Sequence, residues 1–493
     1  MFFSLVLVFL LSGIPNLLPG ALYEVSTKDE TGILRVRDDW FAPSSGKFYV
    51  NRDALYAEVI KVEVKDGWFG PVLRFPDGAE KEFTIKPYEA PEFSPVWEAE
   101  SYSEPRYSVT VDEDLRYGSA MGFWTSYDVP YQENILVTYG RKTPYLLVPM
   151  DEVDLTMDVY SPQEDGYESR PLLLMIHGGA FFSGDKDRDE FRQWCEYFAS
   201  MGYVAASINY RIGFRPTRNE VQRAGYRAVQ DAHAAVRYLI NRARYQIDPN
   251  RVFVAGTSAG AITALNLAFM RDENRPEITR GGTAGDEGKI DKINPGDSGP
   301  FSILAVGNMW GAIHSLEMLG NSKASVISFH SVNDPIVPYA CGHPFQEYLS
   351  PLALNTILFD KMYGSYEIDQ ELKKKGRRTV LHTFRGNKHS LHLDENGRIA
   401  QQFYDIRDKM AAFFAEEMTP AQVSLKKKKG EPQVFFFAAN NVRKCYWKVE
   451  GGAILSSGKT EARVLLFPDA PTHSVSVSGE YSSGALFEGT LSL

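Results

Sequence analysis

Gly256-Thr257-Ser258-Ala259-Gly260 is the stretch on which the reading of this chain turns. It lies between two segments of different character. Arg251-Val252-Phe253-Val254-Ala255 precedes it, a short apolar run that reads as a buried strand. Ala261-Ile262-Thr263-Ala264-Leu265-Asn266-Leu267-Ala268-Phe269-Met270 follows and reads as a helix. A strand, a sharp turn of small residues and a helix put Ser258 on the corner with its hydroxyl exposed. The glycines let the backbone turn tightly, and the helix N-terminus offers N–H groups to developing negative charge. Taken alone, the pentapeptide is equally a glycine-rich turn with an incidental serine.

A second signal upstream favours the chemical reading. Leu172-Leu173-Leu174-Met175-Ile176 is another buried-strand run, and it leads directly into His177-Gly178-Gly179-Ala180-Phe181. Acyl transfer builds an oxyanion, which needs backbone N–H donors held in place. The N–H of Ala259, the residue after Ser258, is one expected donor. Gly179 and Ala180 supply the others, with Gly178 shaping the turn. The plainer alternative is that His177 closes a strand and the glycines merely turn. Two such motifs, correctly ordered and each at the end of an apolar strand, weigh against it.

With these residues the chain resembles the α/β-hydrolase superfamily, in particular its carboxylesterase and lipase branch. The resemblance spans roughly residues 130 to 418. Asp154 to Pro162 is similar to the strand that opens the family's sheet, and Ser207 to Arg211 to the strand after the oxyanion loop. Ala228 to Leu239 resembles the helix before the elbow. The oxyanion loop departs from the pattern, with His-Gly-Gly-Ala where many relatives carry three glycines. Ala180 keeps its N–H, and its methyl is expected to narrow the hole slightly.

The resemblance implies a catalytic order of serine, acid, histidine. Ser325 to Phe329 reads as a strand that runs on to Asn333-Asp334-Pro335, similar to the family's acid loop, which makes Asp334 the expected acid. Asp360 and Asp369 lie in polar or helix-like stretches and read as solvated surface. Thr379 to Phe384 reads as the last strand, and His389 stands in the loop just past it, where the base belongs. His392, three residues on, is the competitor. His382 lies inside the strand and reads as structural, and His330 and His343 lie too close to Asp334 to fit the order.

A chain of 493 residues allows two to four domains, and 44% apolar residues suffice for a sizeable core. The formal net charge of −10 argues against a nucleic-acid surface. No segment has zinc-ligand spacing and no glycine-rich loop carries the lysine of a phosphate cradle, so no metal or organic cofactor is expected. Met1 to Gly13 is an apolar run, too short to span a bilayer comfortably, that breaks at Gly13, Pro15 and Pro19 before Gly20-Ala21. It reads as a secretory signal peptide over residues 1–21, although no Lys or Arg precedes the apolar run; an uncleaved anchor is the alternative. No later segment is long and apolar enough to cross a membrane. Cys195, Cys341 and Cys445 form an odd set in which at most one internal bridge can form, and the sequence does not say which.

Short strand-like runs punctuated by turns such as Pro76-Asp77-Gly78 make residues 22–128 an expected small β domain. The hydrolase domain is placed at 129–418 and a linker at 419–432, with Lys426 to Lys429 a solvated run inside it. Residues 433–493 read as all-β. Trp447-Lys448-Val449-Glu450-Gly451-Gly452 resembles the immunoglobulin-like, PKD-like modules appended to exported bacterial enzymes, although about sixty residues is short for a full sandwich. The expected fold class is α/β: a doubly wound, mostly parallel hydrolase sheet flanked by an N-terminal β domain and a C-terminal immunoglobulin-like module.

The functional expectation is an exported serine hydrolase of carboxylic esters that is periplasmic, cell-surface or secreted. Arg271 to Pro300 is polar and does not look like a large lipase lid, which favours short-chain or carbohydrate-linked esters over emulsified fat. The β modules fit polysaccharide or cell-surface contact without establishing it. Two alternatives stand beside it. A serine peptidase of the prolyl-oligopeptidase type shares the fold, but its propeller needs roughly 40 residues per blade, more than the N-terminal segment holds. A non-catalytic binding or adhesion protein is the reading from another class, and a complete set of serine, acid and histidine argues against it.

Overall fold

Residues with alternating apolar and polar side chains near the N-terminus build a closed barrel. Its strands are β1 (Leu22–Thr27), β2 (Thr31–Arg37), β3 (Gly46–Asn51), β4 (Ile60–Gly67), β5 (Gly70–Arg74) and β6 (Glu80–Pro87). Each pairs antiparallel with the next, and β6 returns to β1, with Val25 opposite Ile85. Closure leaves no free edge. Val25, Leu34, Val62, Leu73 and Phe83 fill the core. The computed structural model describes residues 22–29, 31–37, 46–51, 60–67, 70–90, 102, 104–126, 149–165, 169–282, 285–346, 354–467, 470–481 and 486–493. The expected signal peptide at 1–21 and the expected hydrolase start at 129 lie outside the described residues.

The central sheet has eight strands. They are β7 (Val109–Gly122), β8 (Asp151–Pro162), β9 (Arg170–Ile176), β10 (Val204–Ile208), β11 (Ile247–Thr257), β12 (Ile303–Met309), β14 (Ser325–Ser331) and β17 (Thr379–Phe384). Three short strands, β13 (Ala312–Ile313), β15 (Cys341–Gly342) and β16 (Met362–Gly364), form a separate small sheet. The central order is β17-β14-β12-β11-β9-β10-β8-β7. The first six run parallel, and β8 and β7 complete one edge antiparallel.

Parallel strands are covered on both faces, which is why their sequences are continuous apolar runs. Val252 and Val254 of β11 join Leu172, Leu174 and Ile176 of β9 in one cluster with α2 (Arg218–Ile240) and α3 (Ala259–Phe269). Phe253 points the other way, to Tyr203 and Phe414, with ring centroids 5.8 and 4.7 Å away. Thr217 caps α2, its hydroxyl accepting from the Glu220 N–H. The polar stretch 271–300 is strapped along α2: Arg223 and Arg227 pair with Glu287 at 3.0 and 3.2 Å, and Arg237 donates to the Asp297 carbonyl at 2.7 Å.

Two expected boundaries move, the one at 128 and the linker. Strand β7, placed in the N-terminal domain on sequence, belongs to the central sheet, because its partner is β8. The chain divides into residues 99–419 and a second unit made of residues 1–98 with 420–493, not at 128. The expected linker 419–432 carries strands: β18 (Ala421–Gln422), β19 (Lys426–Lys428) and the start of β20 (Glu431–Phe436). With β21 (Val442–Glu450), β22 (Gly452–Ser457), β23 (Glu461–Leu466), β24 (Ser474–Tyr481) and β25 (Leu486–Ser492) they form two four-stranded sheets, β18-β25-β24-β21 and β19-β20-β23-β22. The lysine run is thus a paired strand, and Lys428 meets Glu431 at 3.1 Å and Glu461 at 3.8 Å.

The two ends of the chain share a core. Ile33 of the barrel clusters with Ala453, Leu455 and Leu465 of the C-terminal sheets. The Tyr88 hydroxyl donates to the Ile454 carbonyl at 3.1 Å and accepts from the Ile454 N–H at 3.0 Å. The Arg35 guanidinium lies 4.0 Å over the Phe467 ring. All three cysteines are free thiols.

Candidate active site

Close backbone approach explains the glycines around Ser258. A Cβ on Gly260 would lie 2.0 Å from the Ile176 carbonyl oxygen, and one on Gly256 would lie 2.5 Å from the Gly260 carbonyl carbon. Only glycine lets the first turn of α3 press against the end of β9. That contact sets the serine corner beside the loop that begins at His177. Ser258 has φ 53 and ψ −119, a sparsely populated conformation for a residue with a side chain. Its N–H donates to the Met309 carbonyl at 2.9 Å, and its own carbonyl accepts from Ile262 N–H at 3.0 Å.

Three side chains from three loops meet here. His389 Nδ1 lies 2.9 and 2.8 Å from the two carboxylate oxygens of Asp334. A carboxylate only accepts, so Nδ1 carries the proton. Nε2 is then free to accept from the Ser258 hydroxyl, 2.9 Å away. Asp334 follows β14, and its side chain is fully buried. Its Oδ1 also accepts from the Ile336 and Val337 N–H groups at 2.8 and 3.0 Å. Burial alone would raise this carboxyl; the imidazoles of His389 and His330 facing it outweigh that and hold Asp334 well below the usual carboxylate range.

The loop after β9 presents backbone donors next to the serine. A Cβ on Gly178 would sit 3.2 Å from Ser258 Cβ, so this turn touches the serine corner. Gly179 (φ 111), Ala180 (φ 55) and Phe181 (φ 58) are all left-handed. For Ala180 and Phe181 that conformation costs roughly 1–2 kcal/mol each. The turn is closed by Phe182 and Ser183 N–H groups donating to the Gly179 carbonyl, both at 2.9 Å. Among the described residues, the N–H groups of Gly179, Ala180 and Ala259 donate to nothing else in the chain.

The strained loop is held from behind. Tyr210 stacks on His177, centroids 4.4 Å apart, and donates its hydroxyl to the His177 carbonyl at 2.8 Å. Burial pushes His177 down to about 4, so it is neutral. Gly213 N–H donates to the Phe181 carbonyl at 2.7 Å, and Trp124 Nε1 to the Phe182 carbonyl at 2.9 Å. The segment carrying Tyr210 and Gly213 is pinned in turn by Arg211. Its side chain and backbone N–H all bond the fully buried Asp231, at 2.7 to 3.0 Å.

The other residues weighed on sequence fall elsewhere. His392 does not reach Ser258: it is buried between Trp310 and Trp194, ring centroids 5.0 and 5.5 Å away, with Nε2 3.6 Å from Glu190. No helix begins at Ser390; residues 390–393 form a turn. Asp369, read as solvated surface, is 1% exposed because Lys373 and Thr379 satisfy its carboxylate at 2.8 and 3.2 Å. Trp310 was not singled out by sequence. It stands in a left-handed conformation (φ 47), edge-on to His389 at 6.3 Å. An isolated tryptophan after an apolar strand gave no signal for it. Among the described residues no cluster of His, Cys, Asp and Glu has the arrangement of a metal site, and no helix is long and apolar enough to cross a membrane.

Part of the chain is similar to known proteins. Residues 157–328 match the BD-FAE family model. That span holds Ser258 and the Gly178–Ala180 loop and stops before Asp334 and His389. Gut esterase 1 of Caenorhabditis elegans is 30% identical over 120 residues, 23% of this chain and 21% of its own length. Phenmedipham hydrolase of Pseudarthrobacter oxydans is 34% identical over 130 residues, 24% of each chain. The chain thus spans less than a quarter of the length of these curated relatives. A butyrate-bound esterase structure from Thermogutta terrifontis aligns at 22% identity, covering 54% of this chain and 90% of its own, with a TM-score of 0.36. Over the matched residues the chain is similar to an α/β-hydrolase esterase family and to esterases of other organisms.

Proposed function

We propose that the chain is a serine-dependent carboxylic ester hydrolase acting through an acyl-enzyme. The observation that carries this reading is the unbroken contact from Asp334 through His389 to the Ser258 hydroxyl, beside three N–H groups that donate to no other described residue. In this mechanism Ser258 attacks the ester carbonyl as His389 Nε2 takes its proton. Asp334 holds the tautomer and offsets the charge of the imidazolium that forms. The N–H groups of Gly179, Ala180 and Ala259 receive the oxyanion, already fixed in direction by the loop's bracing. His389 returns the proton to the leaving alcohol. Water then repeats the sequence on the acyl-enzyme.

The substrates proposed are short-chain or carbohydrate-linked esters. The polar strap at 271–300, bound down along α2, supports this over a mobile apolar lid. Export by a signal peptide, and a PKD-like, polysaccharide-directed role for the C-terminal sandwich, belong to the same proposal. The test is a hydrolysis panel of p-nitrophenyl esters of rising chain length, acetylated and feruloylated glycans, and dipeptide amides, with a fluorophosphonate probe alongside. Short esters should turn over and Ser258 should carry the label. Ser258→Ala should lose both, leaving on the order of 10³-fold catalysis over water. Turnover of amides alone, or labelling of another serine, would overturn the reading.

A further inference from the structure

Behind Asp334 lies a buried polar chain that the mechanism above does not use. It starts at the backbone. Gly311 N–H donates to Asn308 Oδ1 at 2.9 Å, which fixes the orientation of the Asn308 amide. Asn308 Nδ2 must then face the other way, where it donates to Ser328 Oγ at 2.9 Å and Ser365 Oγ at 3.0 Å. His330 Nε2 lies 3.1 Å from the Val337 carbonyl and 3.4 Å from Asp334 Oδ2, both of which only accept, so Nε2 carries the proton. In the neutral ring Nδ1 then accepts, and the Ser365 hydroxyl, 2.7 Å away, donates to it. Asn308, Ser328, His330 and Ser365 are all fully buried.

We infer that His330 is a positioning residue for the ester hydrolysis: as a neutral imidazole protonated on Nε2, it holds the Asp334 loop and carboxylate in line with His389. The inference rests on the proposed role of Ser258, His389 and Asp334. The physical argument is one of direction. The chain is aimed from both ends: a backbone N–H fixes the Asn308 amide, and the Val337 carbonyl fixes the His330 tautomer. Asp334 Oδ1 is already held by two N–H groups of its own loop. Oδ2, the oxygen nearest His389 Nδ1, also lies 3.4 Å from His330 Nε2. Val337 closes the ring, giving its N–H to Asp334 and its carbonyl to His330. Loss of the imidazole would free both the carboxylate and the loop.

Among the described residues, two titratable groups face this pair from other elements. His389 faces Asp334 from the loop after β17, and Tyr339 stands edge-on to His330 at 5.6 Å, its hydroxyl bonded to Thr383 Oγ1 at 2.8 Å. A weaker donor set makes Asp334 more basic, and the acid limb of the rate profile should then move to higher pH.

The experiment compares wild type, His330→Leu, His330→Gln and Ser365→Ala in the full chain. It reads kcat, KM and pH profile on a short acyl ester, with fluorophosphonate labelling and ¹⁵N-imidazole NMR. His330→Leu removes the donor and should lower kcat about 10- to 100-fold with KM little changed. His330→Gln, which can place an N–H near the Nε2 position, should recover most of that loss. Unchanged kcat and pH limb in His330→Leu, or equal losses in the Leu and Gln variants, would overturn the inference. The NMR arm is independent of turnover. A His330 proton on Nε2 in wild type supports the inference, and one on Nδ1 overturns it. If wild type neither turns over ester nor labels at Ser258, the proposed function fails, and the inference fails with it.

Discussion

His389 and His392 lie three residues apart and meet different surroundings. His389 touches Ser258 and Asp334, whereas His392 is stacked between two tryptophans and sits beside Glu190. On the proposed mechanism His389→Ala should cost at least about a thousandfold in kcat. His392→Ala should cost less than about tenfold in kcat but empty a buried site, at about 2–5 kcal/mol of stability. Ester kinetics and urea unfolding on both variants check the pair of outcomes. Among the remaining histidines, His177 carries a pH signature. Burial lowers it from 6.5 to about 4, so between those values the unfolded chain holds the extra proton. Its contribution is complete above about pH 6.5 and is lost as pH falls toward 4. The midpoint of urea unfolding should fall over that window, and less steeply in His177→Gln.

Elements matter here through what they hold still. The loop at 178–181 is strained at Ala180 and Phe181, so something else must fix it. Helix α2 does so at one remove: Asp231 bonds Arg211, and the adjoining Tyr210 and Gly213 bond the carbonyls of His177 and Phe181. Asp231→Ala leaves the Arg211 charge buried and unpaired. The expected loss of stability is about 3–5 kcal/mol. If α2 braces the hole, the variant should also lose kcat on short esters with little change in KM. Urea unfolding and steady-state kinetics on the same preparation read both. The glycines are the counterpart on α3, where a single methyl at Gly260 would push the helix off β9.

At the scale of the whole molecule the chain makes two units, and the second joins its two ends. Ile33 and Tyr88 from the N-terminal barrel share a cluster and hydrogen bonds with residues 453–465. Residues 99–419 own the large core and all the residues of the candidate site. A fragment of residues 99–419 is therefore expected to fold and to keep fluorophosphonate labelling of Ser258. Residues 1–98 without 420–493 expose the Ile33 face and are expected to aggregate, while the two segments expressed together should recover solubility. Circular dichroism and size-exclusion chromatography decide each case.

Local chemistry made part of this protein legible from sequence. A strand–glycine–serine–glycine–helix run and a His-Gly-Gly loop after an apolar strand are short-range patterns, and they point to Ser258 and to Gly178–Ala180 without reference to the rest of the chain. The same is true of the parallel strands, whose two-sided burial writes itself as continuous apolar residues. Other features depend on which distant segments meet. Strand β7 looks like any other strand near the barrel until it pairs with β8. The lysines at 426–428 look like a solvated run until β20 pairs with them. Asp369 is acidic and helical, and only Lys373 and Thr379 make it a buried residue. His330 was passed over for lying too near Asp334 in sequence, although β14 and the loop after it set the two against each other. Register, closure and the meeting of loop ends come from packing between residues far apart in the chain. Local propensity does not encode them, so tertiary structure alone decided them.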